Sequence, residues 1–208
     1  YTVTVSTSAG DFSFDKPAKT LASCMKYTVS GININVAAPE SVSSNAEWNA
    51  AMQGASGHVA VTLTAPITLG SGDVLPSSAV LVTGGNKLTI DVAAAAVNSS
   101  PSVIRTHAAR ADVNVPTGNK TYSLASRLTI TGNTELEVLN GILYAQDLTL
   151  GQGASVSGDG RVVLSGKLGV MKDAAAEIVS GMVISADVLC SNGNLTNGGT
   201  LYYGKSTG

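Results

Sequence analysis

Residues 127–208 form four consecutive rows, which read RLTITGNTELEVLNGILYAQ (127–146), DLTLGQGASVSGDGRVVLSG (147–166), KLGVMKDAAAEIVSGMVISA (167–186) and DVLCSNGNLTNGGTLYYGKSTG (187–208). Each row begins with a charged residue and continues with alternating apolar residues and Gly- or Asn-rich turns. A fixed period of this length, with short alternating segments, is typical of a chain wound into stacked coils. The rows therefore predict a β-solenoid in which residues twenty apart lie about 4.8 Å from each other.

The first position of each row carries a charge, and the sign alternates through Arg127, Asp147, Lys167 and Asp187. Opposite charges on paired strands contribute about 0.2–1 kcal/mol, whereas like charges there are destabilising. We predict that these four residues form one exposed structural ladder; a binding or catalytic role is the alternative. The neighbouring inward ladder is predicted to consist of Leu128, Leu148, Leu168 and Val188.

The same pattern extends toward the N-terminus with a spacing of twenty-one. Val59 and Ile67 recur as Val80 and Leu88, so coils are expected from about residue 58. Leu88 and Leu128 are forty residues apart, which predicts either one irregular coil or an excursion between them. Loops that leave a rigid scaffold frequently carry binding sites. Residues 93–121 are thus the first place to seek a ligand site, with a solvated loop as the alternative, and the candidate ligand-binding residues are Arg105, His107, Arg110 and Asp112.

Two elements precede the coils. Residues 1–38 read as short alternating strands with a hairpin turn at Ser30-Gly31, and they predict a small β element that attaches the solenoid to something else. Ser44 and Glu47 fit a capping box, so a short helix is expected near residues 44–53. Its apolar face is predicted to cover the open end of the solenoid core. Trp48 would pack there, although sugar stacking is an alternative role for its ring.

Composition excludes several partners. Only 12% of the 208 residues are charged, 4% are aromatic and the net charge is −2, so no basic stripe for nucleic acid is expected. No apolar run is long enough for a membrane span.

The two cysteines, Cys24 and Cys190, lack metal-ligand spacing. They are expected to be buried thiols, with a disulfide between them as the alternative; no metal and no cofactor are predicted.

Three segments carry a resemblance to a known family: residues 44–52 (SNAEWNAAM), 59–69 (VAVTLTAPITL) and 86–91 (NKLTID). Together they resemble the opening of right-handed parallel β-helix proteins of the pectate-lyase-like superfamily. The resemblance implies an all-β, right-handed parallel β-helix over residues 39–208. It is an architecture shared by phage tailspikes and fibres, bacterial surface adhesins, and polysaccharide lyases and hydrolases, so the fold alone does not choose the function.

An enzymatic role has one pair of candidate residues, Glu137 and Glu177. With a period of twenty they would share a column two coils apart, about 9–10 Å, near the upper limit for the two carboxylates of an inverting glycosidase. The alternative, which the sequence favours, is an exposed polar ladder of Glu137, Ser157, Glu177 and Asn197. His58 and His107 have no partner at a spacing that supports a nucleophilic triad.

The sequence therefore predicts a non-enzymatic structural or binding protein at a cell surface or in a virion. A phage tail fibre, tailspike or head spike, or a bacterial adhesin, fits this description. A polysaccharide-degrading enzyme and a spacer without a ligand are the alternatives. The open C-terminal end of the solenoid predicts a covering layer: further chain, other virion or surface proteins, or symmetry-related copies. By analogy with tailspikes the assembly is a homotrimer, and a host glycan or receptor is the expected ligand.

Overall fold

Strands dominate the computed structural model, which describes residues 2–7, 10–15, 39–53, 58–74, 79–95, 121–123 and 127–207. The elements are β1 (Thr2–Thr7), β2 (Gly10–Asp15), β3 (Glu40–Val42), α1 (Asn45–Gln53), β4 (His58–Leu63), β5 (Ile67–Leu69), β6 (Ala79–Thr83), β7 (Lys87–Asp91), α2 (Val92–Ala95), β8 (Thr121–Ser123), β9 (Arg127–Ile130), β10 (Glu135–Leu139), β11 (Ile142–Ala145), β12 (Asp147–Leu150), β13 (Ser155–Ser157), β14 (Arg161–Val170), β15 (Ala175–Ile178), β16 (Val183–Ser191), β17 (Asn194–Asn197) and β18 (Thr200–Thr207).

The strands from β3 onward form a parallel β-solenoid of about six turns. One sheet has six strands in the order β17-β15-β13-β10-β7-β5. The other has ten strands along the path β18-β16-β14-β12-β9-β6-β4-β3, with β11 joined to β14 and β8. Each turn of the chain adds a strand to both sheets, and all of these pairings are parallel. The predicted fold class is confirmed, while the right hand of the winding stays a prediction.

Alternation within each strand builds the core between the sheets. Leu136 and Val138 of β10 are buried, and the residues between and beside them are partly exposed. Successive coils place apolar residues in the same inward column, as in Leu88, Leu136 and Val156. The predicted spacing of twenty-one is confirmed, because Val59 pairs with Val80 and Ile67 with Leu88.

The coil of β6 and β7 stacks directly on the coil of β9 and β10. Val80 pairs with Leu128 and Leu88 pairs with Leu136. Among the described strands, no further coil lies between these two coils, and the excursion predicted over residues 93–121 stays a prediction. Strand β8 rejoins the solenoid by pairing with β11. Residues 96–120, the greater part of the segment between α2 and β9, lie outside the described residues.

The predicted charge ladder is wrong at its fourth position. Lys167 pairs with Val188, and Asp187 lies opposite a β-bulge between Leu164 and Lys167. The bulge gives β14 one residue more than β16 between these two paired positions. Lys167 therefore pairs with the residue twenty-one positions later in the chain, and not with the one twenty positions later. The same shift places Leu189 beside Leu168, which means that Val188 does not join the inward ladder.

The N-terminal strand alternation is confirmed as an antiparallel pair of β1 and β2; the predicted turn at Ser30-Gly31 lies outside the described residues. Helix α1 begins as predicted, since the Glu47 N–H donates to Ser44 Oγ at 3.3 Å. The Glu47 carboxylate accepts from the N–H and hydroxyl of Ser43, at 2.7 and 2.8 Å. The predicted capping box therefore uses the residue before the N-cap.

The inner face of α1 consists of Trp48, Ala51 and Met52, which belong to the core. The Trp48 ring is buried and its indole N–H donates to the Val74 carbonyl at 2.9 Å, so its stacking on a sugar is excluded in this conformation. That α1 covers the end of the solenoid stays a prediction. Among the described residues, no helix is long and apolar enough to cross a membrane.

Candidate functional site

A cluster of charged and hydroxyl side chains lies on the outer side of the six-stranded sheet. It consists of Lys87 and Thr89 on β7, Glu135 and Glu137 on β10, and Ser157 on β13. Because side chains alternate along a strand, the buried Leu88 and Leu136 between these residues direct them away from the core. The register pairs Lys87 with Glu135 and Thr89 with Glu137. Glu137 pairs in turn with Ser157 on the next strand.

Lys87 binds both carboxylates of this cluster. Its Nζ lies 2.9 Å from Glu137 Oε1 and 3.3 Å from Glu135 Oε1. The Thr89 hydroxyl donates to Glu137 Oε2 at 2.8 Å, and the Ser157 hydroxyl donates to Glu135 Oε1 at 2.5 Å. Each carboxylate thus has an ammonium partner and a hydroxyl partner, and Thr89 and Ser157 are buried beneath them.

These contacts shift the pKa values of two residues of the cluster, Glu137 and Lys87. The hydrogen bonds from Lys87 and then Thr89 lower the pKa of Glu137, and the hydrogen bond to Glu137 raises the pKa of Lys87. Glu137 is therefore ionised at neutral pH, which is unsuited to a general acid, whose pKa must lie near the working pH. The charged groups of the cluster are thus partnered within it, through Lys87 and the two hydroxyl groups.

The predicted column of Glu137 and Glu177 is wrong. Glu137 pairs with Ser157, as expected. Glu177, however, pairs with Ser155 on one side and with Thr196 of the next coil on the other. The physical reason is a two-residue shift after the preceding turn, where the Gly153 N–H donates to the Ala175 carbonyl at 2.8 Å. Glu177 consequently stands in the column of Glu135, and Asn197 pairs with the inward Ile178.

The charged ladder predicted from the first position of each row lies on the ten-stranded sheet, and its first members contact each other. Arg127 pairs with Asp147, and its Nε lies 3.2 Å from Asp147 Oδ2. The other Asp147 oxygen accepts the backbone N–H of Lys167 at 2.9 Å. Asp147 is buried between its neighbours, so this carboxylate joins three successive coils.

A hydrogen-bond network that the sequence did not reveal joins α1 to the first coil. The Asp73 carboxylate accepts from Asn45 Nδ2 at 2.9 Å, from Asn49 Nδ2 at 3.0 Å and from the Gly70 N–H at 2.8 Å. Asn49 Oδ1 in turn accepts the Val74 N–H at 2.7 Å. Asn45 and Asn49 are four residues apart on one helix face, which is the only sequence signal for this contact.

The predicted ligand-binding residues Arg105, His107, Arg110 and Asp112 lie outside the described residues, so that interpretation stays a prediction. Within the described part of the chain, no group of three His, Cys, Asp or Glu side chains is placed to hold a metal ion. Cys190 is disulfide-bonded, so the expectation of a buried thiol is wrong there. The other cysteine, Cys24, lies outside the described residues.

No known protein family, curated protein or solved structure matches the chain.

Proposed function

We propose that this chain is a non-enzymatic structural and binding part of an extracellular appendage. A phage tail fibre, tailspike or head spike is the first candidate, and a bacterial surface adhesin is the second. The proposal rests mainly on how the outward charges are used. Lys87 forms ion pairs with both Glu135 and Glu137, and Arg127 forms one with Asp147. Polar groups that contact each other in this way hold adjacent coils together.

The proposed family is the right-handed parallel β-helix of the pectate-lyase-like superfamily. Three features support it: the parallel stacking of about six turns, a helix over Asn45–Gln53 shortly before β4, and strands within the two segments 59–69 and 86–91. Parallel stacking leaves few free backbone groups along the rod. This suits an appendage that must resist proteolysis.

The disulfide of Cys190 supports an extracellular location. Cys190 is disulfide-bonded, and structural disulfides persist mainly outside the cytosol. The proposal therefore places the protein on a virion or cell surface, where a disulfide would survive.

The proposed partners meet the C-terminal end of the solenoid. Strands β17 and β18 are the outermost described strands of the two sheets at this end. Tyr203 continues the inward column of Leu164 and Ala186, yet it is 47% exposed. An exposed sheet edge with such residues is a surface that proteins normally cover. We propose that copies of this chain or other appendage proteins cover it, with a homotrimer as the first expectation.

Two experiments test the proposed function. Mass spectrometry of purified virions and of bacterial surface fractions is expected to find the protein there; its presence in cytosol alone would overturn the proposal. A glycan array is expected to show binding without cleavage. Release of reducing ends or unsaturated sugars from any glycan would instead favour the polysaccharide-degrading alternative.

A further inference from the structure

The sequence contains three Asn-Gly pairs, each in a turn of the solenoid or at the end of a strand. They are Asn140-Gly141, Asn192-Gly193 and Asn197-Gly198. In such a pair the glycine nitrogen can attack the side-chain amide of the asparagine, because glycine has no side chain to hinder the approach. The attack requires rotation of the peptide unit that joins the two residues. The contacts of that unit in the folded chain therefore decide which pair can react.

The peptide unit between Asn140 and Gly141 is not held by hydrogen bonds. Within the described part of the chain, neither the Asn140 carbonyl, the Gly141 N–H nor the Asn140 side chain has a hydrogen-bond partner. Asn140 is exposed and has φ 58°, a left-handed conformation that is strained for a residue with a side chain. Rotation of this peptide unit thus breaks no hydrogen bond.

The groups on either side of this peptide unit are anchored. The Asn140 N–H donates to Asp159 Oδ1 at 3.0 Å. The Gly141 carbonyl accepts the Arg161 N–H at 2.9 Å. These two bonds hold the turn between β10 and β11 on the next coil, so the peptide unit between them can rotate while both strands stay paired.

The pair Asn197-Gly198 is held at the attacking nitrogen. The Gly198 N–H donates to the Ile178 carbonyl at 2.8 Å. Asn197 Oδ1 accepts the Gly199 N–H at 3.2 Å, which fixes the side-chain amide as well. Both bonds must open before the Gly198 nitrogen can reach the Asn197 side chain.

The pair Asn192-Gly193 is held by the coil below it. The Asn192 carbonyl accepts the Asp173 N–H at 3.3 Å. Gly193 lies so close to this coil that a Cβ there would overlap the backbone carbonyls of Met171 and Ala174. Rotation of the Asn192-Gly193 peptide unit is therefore restricted both by a hydrogen bond and by packing.

We propose that Asn140 is a site of spontaneous self-modification in the folded protein. The Gly141 nitrogen attacks Asn140 Cγ and forms a new C–N bond. The bond between Cγ and the side-chain nitrogen breaks, and ammonia leaves with the proton of the Gly141 N–H. Water then opens the cyclic imide at either carbonyl and gives aspartate or isoaspartate. The reaction depends on this turn and on water alone, so it does not rest on the proposed function.

Both products change the turn between β10 and β11. A carboxylate at position 140 lies next to Asp159, whose Oδ1 accepts the Asn140 N–H, and neighbouring like charges are destabilising. Isoaspartate also lengthens the backbone. The turn has little room for this, because a Cβ on Gly160 of the next coil would already overlap the carbonyls of Val138 and Gly141. The modified chain is therefore expected to be less stable than the original one.

Ageing of the wild-type protein tests the proposal. The folded protein is kept at mildly alkaline pH and digested at intervals under acidic conditions, and mass spectrometry measures aspartate and isoaspartate at the three asparagines. Asn140 is expected to react at least about fivefold faster than Asn197, the factor that corresponds to one backbone hydrogen bond. It should also react faster than Asn192. A rate at Asn192 or Asn197 that equals or exceeds the rate at Asn140 would overturn the proposal.

The chain unfolded in guanidinium chloride is the control for local sequence. All three pairs consist of the same two residues, so their rates should become similar once the fold no longer holds them. If Asn140 keeps the same advantage in the unfolded chain, its neighbours in sequence cause the preference, and the assignment to the folded turn is wrong.

Two variants test the effect on the turn. Asn140→Gly removes the reactive amide and suits the left-handed φ, so its stability in urea should not change on ageing. Freshly prepared Asn140→Asp carries the new charge without the longer backbone. Its unfolding midpoint is expected to lie between those of fresh wild type and of the isoaspartate fraction purified from aged wild type. An equal loss of stability in aged Asn140→Gly and aged wild type would contradict the proposal.

Discussion

Lys87 shows how a single residue organises the outer face of the six-stranded sheet. Its ammonium group is the cation shared by Glu135 and Glu137, which are two residues apart on one strand and point to the same side. Without that cation, two like charges would face each other above the buried hydroxyls of Thr89 and Ser157. The effect of Lys87 therefore exceeds that of an isolated surface ion pair.

Replacement of Lys87 by alanine is expected to destabilise the fold by about 1 kcal/mol, a value discounted for the exposure of the lysine. The matched control is Lys172→Ala, because Lys172 is 75% exposed and lies 3.9 Å from Asp173. That variant should be neutral. Urea unfolding at pH 7 measures the free energy of unfolding of both variants. Equal losses of stability in the two variants would show that the Lys87 cluster does not stabilise the fold.

The cluster also predicts a pH dependence. The folded-state pKa of Glu137 is lowered, so its contribution is complete above its ordinary pKa of about 4.3 and is lost as the pH falls through the folded value. The pKa of Lys87 is raised, so its contribution is complete below about 10.4 and is lost as the pH rises through the folded value. The difference in unfolding free energy between wild type and Glu137→Gln should thus be constant from pH 6 to 8 and shrink below about pH 4.

Unfolding titrations at these pH values check this expectation. Glu177→Gln, at an exposed position of β15, provides the comparison and is expected to change stability little. A Glu137→Gln difference that grows toward low pH would have the wrong sign and would contradict the assigned contacts.

At the scale of the element, the turns fix where each strand begins. Gly158 has φ 114°, and a Cβ there would overlap the backbone carbonyl of Val138 in the coil below. Gly181 has φ 92°, but a Cβ there meets nothing within 4 Å. Gly158→Ala is therefore expected to cost about 2 kcal/mol more than Gly181→Ala, which has the backbone strain without the overlap. Thermal and urea unfolding compare the stability of the two variants. Equal losses of stability would mean that backbone strain, and not the overlap with Val138, causes the effect.

Helix α1 depends on one carboxylate for its attachment to the first coil. Asp73 accepts hydrogen bonds from Asn45, Asn49 and the Gly70 N–H. Asp73→Ala leaves these donors without their acceptor, and we expect a loss of about 2 kcal/mol. Ser71→Ala, at an exposed position of the same turn, should be nearly neutral. If Asp73→Ala is neutral in urea unfolding, the network does not hold the helix.

The sequence predicts the coils well because their alternation and turns repeat locally. It fails where one coil differs in length from the next. The bulge opposite Asp187 and the two-residue shift before Glu177 depend on contacts between coils, which no single row contains. The Lys87 cluster was missed for a related reason. Forty-eight residues separate Lys87 from Glu135, and only the structure shows that their strands are adjacent.

On the scale of the whole molecule, the two ends of the solenoid differ. At the N-terminal end, α1 packs its apolar face on the first coil through Trp48, Ala51 and Met52. At the other end, Leu195 and Leu201 are only partly buried against the core, and Tyr203 stands half exposed in an inward column. Association is therefore expected at the end formed by β17 and β18.

Two adjacent tyrosines provide a matched test of that association. Tyr202 and Tyr203 are each 47% exposed. Tyr202 continues the outward column of Ser185, and Tyr203 continues the inward column of Ala186. If another layer stacks on this end, Tyr203→Lys places a charge at the end of the core and is expected to convert the oligomer to a monomer, whereas Tyr202→Lys should leave the oligomer intact. Light scattering coupled to size-exclusion chromatography measures the mass; a monomeric wild-type chain, or equal loss of assembly in both variants, would show that the inward column at this end is not the contact.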